Sequence, residues 1–260
     1  MNIVVCIKQV PDTTEIKINP VTGTLIRDGV PSIINPDDKA GLELALSLKD
    51  SFNAHVTVIT MGPPQAEDVL REAYAMGVDR AILLTDAKFA GADTLATSHA
   101  LAGALRKLDF DLLVTGRQAI DGDTAQVGPQ IAEHLDLPQV SYLEHLDFDG
   151  KKTFTIKRRI EDGYEMLQVD GPCVVTVLSG AYRPRYMSVS GIVEAYSKNV
   201  EIWGFAQIDV DEKDLGLNGS PTRVHKAFSR GVKSAGQLYE VDSTEAVGII
   251  MSKLKEKFII

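Results

Sequence analysis

The stretch TGRQAIDGDTAQVGP, residues 115–129, brings together residue types that can hold an anion. It leaves an apolar run, LLVT, passes a loop containing Gly116 and Gly122, and enters a helical pattern near Gln126. A helix start offers free N–H groups and partial positive charge, which suits a phosphate. Arg117 would add a full charge, and Thr124 would cap the helix or bond a phosphate oxygen. Gly128 permits close backbone approach, and Pro129 falls in the first turn, where its missing donor costs nothing. Asp121 and Asp123 would repel a phosphate, so they read as turn formers, ribose ligands or caps. A tight strand-to-helix turn with no ligand uses the same residues, and the pattern alone leaves both readings open.

Other chemistries find little support. No GxGxxG follows the first strand, no GxxxxGK[ST] exists, and no GxSxG offers a hydrolase nucleophile. The five histidines lack HxxxH or HExxH spacing, so no metal site is expected. Cys6 and Cys173 lie in apolar runs and read as buried thiols in a reducing, cytoplasmic setting. A second polar cluster, IKRRIEDGYE at 156–165, alternates charge like a solvated hairpin face. There Arg158 and Arg159, together with Arg185, are alternatively anchors for an anion or a partner chain.

The elements that must position the loop follow from periodicity. Short apolar runs at Ile3 to Val10, Val56 to Met61, Ala81 to Thr85 and Leu112 to Thr115 read as strands buried on both faces, with a shorter one at Gln139 to Leu143. Between them lie helices at Asp37 to Phe52, Ala66 to Met76, about Asp93 to Leu108, and from Gln126 to before Pro138. In the first, Ala40, Leu44, Leu48 and Phe52 make one stripe, Pro36 suits the first position and Asn35 is a candidate cap. Gly77 is placed to end the second. Repeated β-α-β units predict an α/β fold with a parallel, doubly wound sheet. IKINPVTGTLIRDGVPSIINP interrupts them as a hairpin excursion with turns at Asn19-Pro20 and Asp28-Gly29. Beyond residue 145, turns at Asp149-Gly150 and Asp162-Gly163 predict antiparallel strands that continue through PCVVTV. Residues 183–240 are turn-rich, and a helix from Ser243 to Lys257 follows. The expected division is a binding domain over 1–182 and a partner-packing arm over 183–260, because long structureless loops are rare in compact domains.

The chain has 260 residues, 27 basic against 36 acidic, for a net charge of −9, and 44% apolar content. The acidic balance argues against nucleic acid as the main partner. MNIVVCIKQVPD reads as a first strand rather than a signal peptide. No apolar stretch approaches the ~20 residues that span a bilayer, so no membrane insertion is expected.

At these segments the sequence resembles the beta subunit of electron-transfer flavoprotein. Arg158, Glu161, Asp162, Gly163, Glu165, Leu167 and Pro172 match the family's signature, and GRQAIDGDTAQVGP matches its loop. MNIVVCIKQVPD, INPDDKAGLELAL and VITMGPPQAEDVLREAYAMGVDRAILL extend the likeness over nearly the whole chain. The resemblance implies a heterodimer with an alpha subunit that carries one FAD in a mobile domain. It also implies an adenine nucleotide in beta: AMP in housekeeping members, a second FAD in electron-bifurcating ones. By position, the cofactor-binding residues it implies are Cys6, Asn35, Asp38, Met61, Thr115, Gly116, Arg117, Gln118, Asp121, Asp123, Thr124, Gln126, Val127, Gly128 and Gln130. Thr94 and Thr97, in FAGADTLATS, are candidates beside a flavin ring. No catalytic side chain and no metal ligand is implied.

The loop that docks acyl-CoA dehydrogenases in housekeeping members departs from their pattern here. Val189 replaces an anchoring leucine, and Glu194-Ala-Tyr-Ser replaces most of the lysines. Pro129 and the GSPT at Gly219 to Thr222 look more like bifurcating members. The expected function is then electron transfer from NADH to ferredoxin or flavodoxin and, through the alpha-subunit FAD, to an acyl-CoA dehydrogenase. The alternatives are a housekeeping carrier that holds AMP structurally and a stand-alone ATP-binding regulator.

Overall fold

The structure is a computed structural model and describes residues 1–12, 31–223 and 236–260. The chain divides into two units, Met1–Lys226 and Ala227–Ile260. The first strands are β1 (Asn2–Cys6), β2 (Gln9–Pro11), β3 (Ser32–Ile34), β4 (His55–Met61), β5 (Arg80–Leu84) and β6 (Leu112–Gly116). They are followed by β7 (Gln139–Phe148), β8 (Thr153–Ile160), β9 (Gly163–Asp170), β10 (Cys173–Val177) and β11 (Val200–Trp203). The helices are α1 (Pro36–Phe52), α2 (Glu67–Met76), α3 (Thr94–Leu105), α4 (Val127–His134), α5 (Val189–Ala195) and α6 (Ser243–Glu256).

Nine strands form one sheet in the order β11-β5-β4-β1-β6-β10-β7-β8-β9. All neighbours from β11 to β7 run parallel, and β7, β8 and β9 are antiparallel. The expected doubly wound α/β architecture is therefore present. Every residue of β6 and β10 is buried, as a parallel strand covered on both faces requires. Ile3, Val5, Val114 and Val175 face one core layer with residues of α1 and α2. Val4, Cys6, Leu113 and Val174 face the other with residues of α3 and α4.

The run expected as one strand, Ile3 to Val10, is divided. β1 ends at Cys6, and β2 pairs antiparallel with β3 in a separate ribbon. Between them the Lys8 N–H donates to Asp38 and the Lys8 carbonyl accepts from the Asn35 N–H, so this backbone is taken out of the sheet. The turns expected at Asn19-Pro20 and Asp28-Gly29 lie outside the described residues. The apolar face of α1 is wider than a stripe: Leu42, Ala45 and Leu46 are buried as well, while Phe52 is 41% exposed. Phe52 meets Phe148 edge-on at 5.1 Å, and Phe148 stacks on the fully buried Phe154 at 4.9 Å. This aromatic chain joins α1 to the β7–β8 hairpin.

PCVVTV does not continue the antiparallel ribbon. β10 inserts between β6 and β7, parallel to both. Its five residues are accordingly all buried, whereas an antiparallel strand with one wet face would alternate.

The 182/183 boundary also shifts. Residues after 183 add α5 and β11 to the first unit, with β11 extending the sheet beside β5. Polar links hold them there. Arg80 forks onto Glu201 at 2.6 and 2.8 Å, and the ion pair raises the arginine's pKa and lowers the glutamate's. Arg71 and Tyr74 of α2 donate to the carbonyls of Ala195 and Asn199. Arg185 grips Glu43 and Asp50 of α1, so it serves its own chain. Arg158 and Arg159 likewise lie against Glu165 and Glu144, a solvated strand face whose pairs are each worth little. No helix among the described residues is long and apolar enough to cross a membrane.

Phe154→Ala should remove both its apolar area and the stacking platform for Phe148. A loss of about 3–5 kcal/mol is expected, read from denaturant unfolding at unchanged slope.

Candidate functional site

The chain runs from β1 outward through β4 to β5, then returns to place β6 on the other side of β1. The strand order therefore reverses between β1 and β6. At such a point the connections leave in opposite directions and open a crevice at the carboxyl ends of the strands, where α/β sheets bind ligands. Cys6 ends β1, Met61 ends β4, and Thr115 and Gly116 end β6. Loop 117–126 follows and feeds α4.

The start of α1 holds that loop. Asn35 occupies the cap position but makes no capping bond. Its Nδ2 donates to the Gln118 carbonyl at 2.8 Å, and its Oδ1 accepts from the Ile120 N–H at 3.0 Å. Asp38 accepts from the N–H groups of Lys8 (2.8 Å) and Gly116 (3.0 Å). Asp37 accepts from Ser179 N–H at 3.0 Å and lies 3.4 Å from Arg117 Nε. The Asn35 and Asp38 side chains are thus spent on the protein's own backbone. Gly116 is required by closeness. A Cβ there would collide with Asp38 Oδ1 and lie 2.7 Å from the Asp38 nitrogen. Gly128 serves the same end in α4. A Cβ would sit 2.6 Å from Thr115 Oγ1, so this glycine seats the helix on the sheet rather than making room for a ligand. Gly122 has open space around it.

The far side of the loop is open. Thr124 is exposed and does not cap α4, which starts with no side-chain cap at Gln126. Gln126 Oε1 instead accepts from Thr94 Oγ1 at 2.8 Å, joining the first turns of α3 and α4. Asp93 caps α3 through the Ala96 N–H and also accepts from the N–H and hydroxyl of Thr222. The GSPT segment therefore steadies the turn that bears Thr94 and Thr97. Asp123 and Ala125 hold positive φ of 50° and 54°, an uncommon backbone for residues with side chains. Asp123 accepts from Gln118 Nε2, and Asp121 takes the Lys8 ammonium on both oxygens, at 2.7 and 2.9 Å.

One polar atom of the site, Gln130 Oε1, is buried without a partner, and the buried Arg117 Nε has only its 3.4 Å ion-pair contact with Asp37. A buried acceptor left over beside an uncapped helix start, with an arginine next to it, fits a ligand that carries both phosphate and polar groups, as an adenine nucleotide does. The sequence thus found the loop, but it missed Lys8. The available signal was a lysine set directly behind an apolar strand, in IVVCIK. Two clefts, of about 280 and 340 Å³, lie at the opposite end of the sheet beside Met1, Asn2 and Asp111, away from these groups. Among the described residues no cluster of three metal-ligating side chains occurs. Cys6 and Cys173 are buried, and desolvation pushes both thiols up, Cys173 to about 12.

Burial drives the Asp38 carboxyl up to about 7, against the bonds from Lys8 and Gly116 and with a further push from Asp37. A carboxyl raised on folding contributes stability below its unfolded pKa near 4 and loses it as pH rises through the folded value. The stability of the wild type relative to Asp38→Asn should therefore fall between about pH 4 and pH 7, checked by chemical denaturation across that range.

Comparison with known proteins agrees with this layout. The electron transfer flavoprotein domain model matches residues 22–207. The electron transfer flavoprotein subunit beta of Clostridium acetobutylicum is 57% identical over 260 residues, covering all of both chains. The caffeyl-CoA reductase-Etf complex subunit CarD of Acetobacterium woodii is 51% identical over 263 residues, again covering all of both. The acryloyl-CoA reductase electron transfer subunit gamma of Anaerotignum propionicum is 44% identical over 269 residues, with the same coverage. A sheet that opens at β1/β6, a loop laced to α1 and full-length likeness to these proteins together place the chain in the electron transfer flavoprotein family, as a beta subunit.

Proposed function

We propose that this beta subunit holds an FAD at the crevice between β1 and β6 and serves flavin-based electron bifurcation. NADH is the electron source. Ferredoxin or flavodoxin receives one share, and an acyl-CoA dehydrogenase receives the other by way of the alpha-subunit FAD. The observation that carries this reading is the pair of adjoining helix starts. An uncapped α4, linked to α3 through Thr94 and Gln126, gives a phosphate seat with a second polar turn beside it. That extended arrangement suits a dinucleotide better than a lone phosphate. Two relatives add support, being named for complexes that reduce CoA esters.

Bound flavin supplies two-electron and one-electron redox chemistry that no side chain here offers. The protein's part is to bind, orient and shield. The first N–H groups of α4 receive phosphate oxygens, Arg117 supplies positive charge and Gln130 Oε1 an acceptor. Cys6 and Met61 line the strand ends, Val127 packs behind the seat, and Thr94 and Thr97 offer hydroxyls on the α3 side. Asn35, Asp37 and Asp38 keep the loop in place through their side chains.

The partner-facing surface belongs to the later residues. On α5 Val189 and Val193 are 82 and 70% exposed, Tyr196 just after it is 76% exposed, and on α6 Val247, Ile250 and Met251 recur on one exposed side. We assign α6 to the embrace of the alpha subunit. A cytoplasmic setting goes with this reading, and the acidic chain is compatible with it.

The test is extraction of nucleotides from the co-expressed heterodimer. Two FAD per heterodimer and no AMP are expected. One FAD with one AMP would make the protein a housekeeping carrier and overturn the reading.

A further inference from the structure

The loop after β6 sets two carboxylates beside the proposed phosphate seat, and the inference drawn from them rests on that reading. Asp123 is exposed and bonded to Gln118 Nε2, so water screens it. Asp121 is in a different position. Its side chain is only 8% exposed, and Lys8 Nζ bonds both of its oxygens. A carboxylate withdrawn from water acts at nearly full strength on an approaching anion unless a cation is fixed beside it.

Lys8 is built to be that cation. It follows the carboxyl end of β1, across the crevice from the loop. Its backbone is pinned on both sides: its N–H donates to Asp38, and its carbonyl accepts from the Asn35 N–H at 2.9 Å. Asp38 in turn holds Gly116, the residue from which the loop departs. The ammonium thus reaches over the crevice from a fixed base and closes a ring of contacts: Lys8, Asp38, Gly116, the loop, Asp121 and back to Lys8.

We propose that Lys8 is a positioning residue of the dinucleotide site: its ammonium cancels the charge of Asp121 and straps the loop across the crevice, without itself contacting the phosphate. The α4 start then faces the ligand with its positive character intact. The pairing also accounts for an aspartate in a loop that receives an anion, because Asp121 is the far end of the strap.

The test is a double-mutant cycle on the complex with the alpha subunit, stripped of nucleotide and titrated with ADP by calorimetry. Lys8→Met should weaken ADP binding by about tenfold or more, since it leaves a bare, half-desolvated carboxylate near the phosphate. Lys8→Met combined with Asp121→Asn should recover most of that loss, and Lys8→Arg should bind within about threefold of wild type. Unfolding midpoints of each variant separate lost folding from lost affinity. If the double variant is as weak as Lys8→Met, cancelling the charge of Asp121 is not what Lys8 supplies and the proposal is wrong. If Lys8→Met binds like wild type, the strap is irrelevant and the proposal again falls, while the site stands. Failure of the wild-type complex to take ADP would remove the dinucleotide site itself, and the strap with it.

Discussion

The structure depends on the contact between the first turn of α1 and the end of β6. Gly116 sits so close to Asp37 and Asp38 that no side chain fits between them. In that space Asp38 binds the N–H groups of Gly116, at the end of β6, and of Lys8, just beyond β1. One carboxylate therefore satisfies the backbone of both strands just where each leaves the sheet. Buried N–H groups without partners are costly. The acidic first turn also suits the positive end of the helix.

From that junction the site follows outward. Asn35 carries the lacing to Gln118 and Ile120, and Asp37 carries it to Ser179, beyond β10. The loop is thereby held by one helix while the next helix start stays free. Protein–protein bonds occupy one side of the loop, and the other retains an uncapped helix and the unpartnered Gln130 Oε1. A family whose redox chemistry resides in bound flavin needs such a scaffold more than it needs reactive side chains.

Much of this was readable from the residues. Continuous apolar runs at Val56–Met61 and Leu112–Thr115 could only be buried strands, and helices at intervals between them implied parallel pairing. Gly77 marked the end of α2 and shows the expected positive φ of 122°. The loop at 115–129 stood out through its glycines and its place between strand and helix. Asn35 was misread as a helix cap because local spacing favours that role, whereas folding brings Gln118 and Ile120 within its reach. Gly128 was legible as a place of close approach, but not the neighbours that approach it, Thr115 and Thr176, since Thr176 is distant in sequence.

The order of residues by itself determined most of the strands and helices before residue 145, and singled out the loop after β6 as the candidate site, since burial and backbone preference are local properties written in periodicity. Only the tertiary structure decided that β10 enters the parallel sheet, that β11 extends it, and that Lys8 meets Asp121. Those facts concern pairs of residues up to 121 positions apart, such as Arg80 with Glu201. Their proximity is set by how whole layers pack, and no local pattern along the chain encodes it.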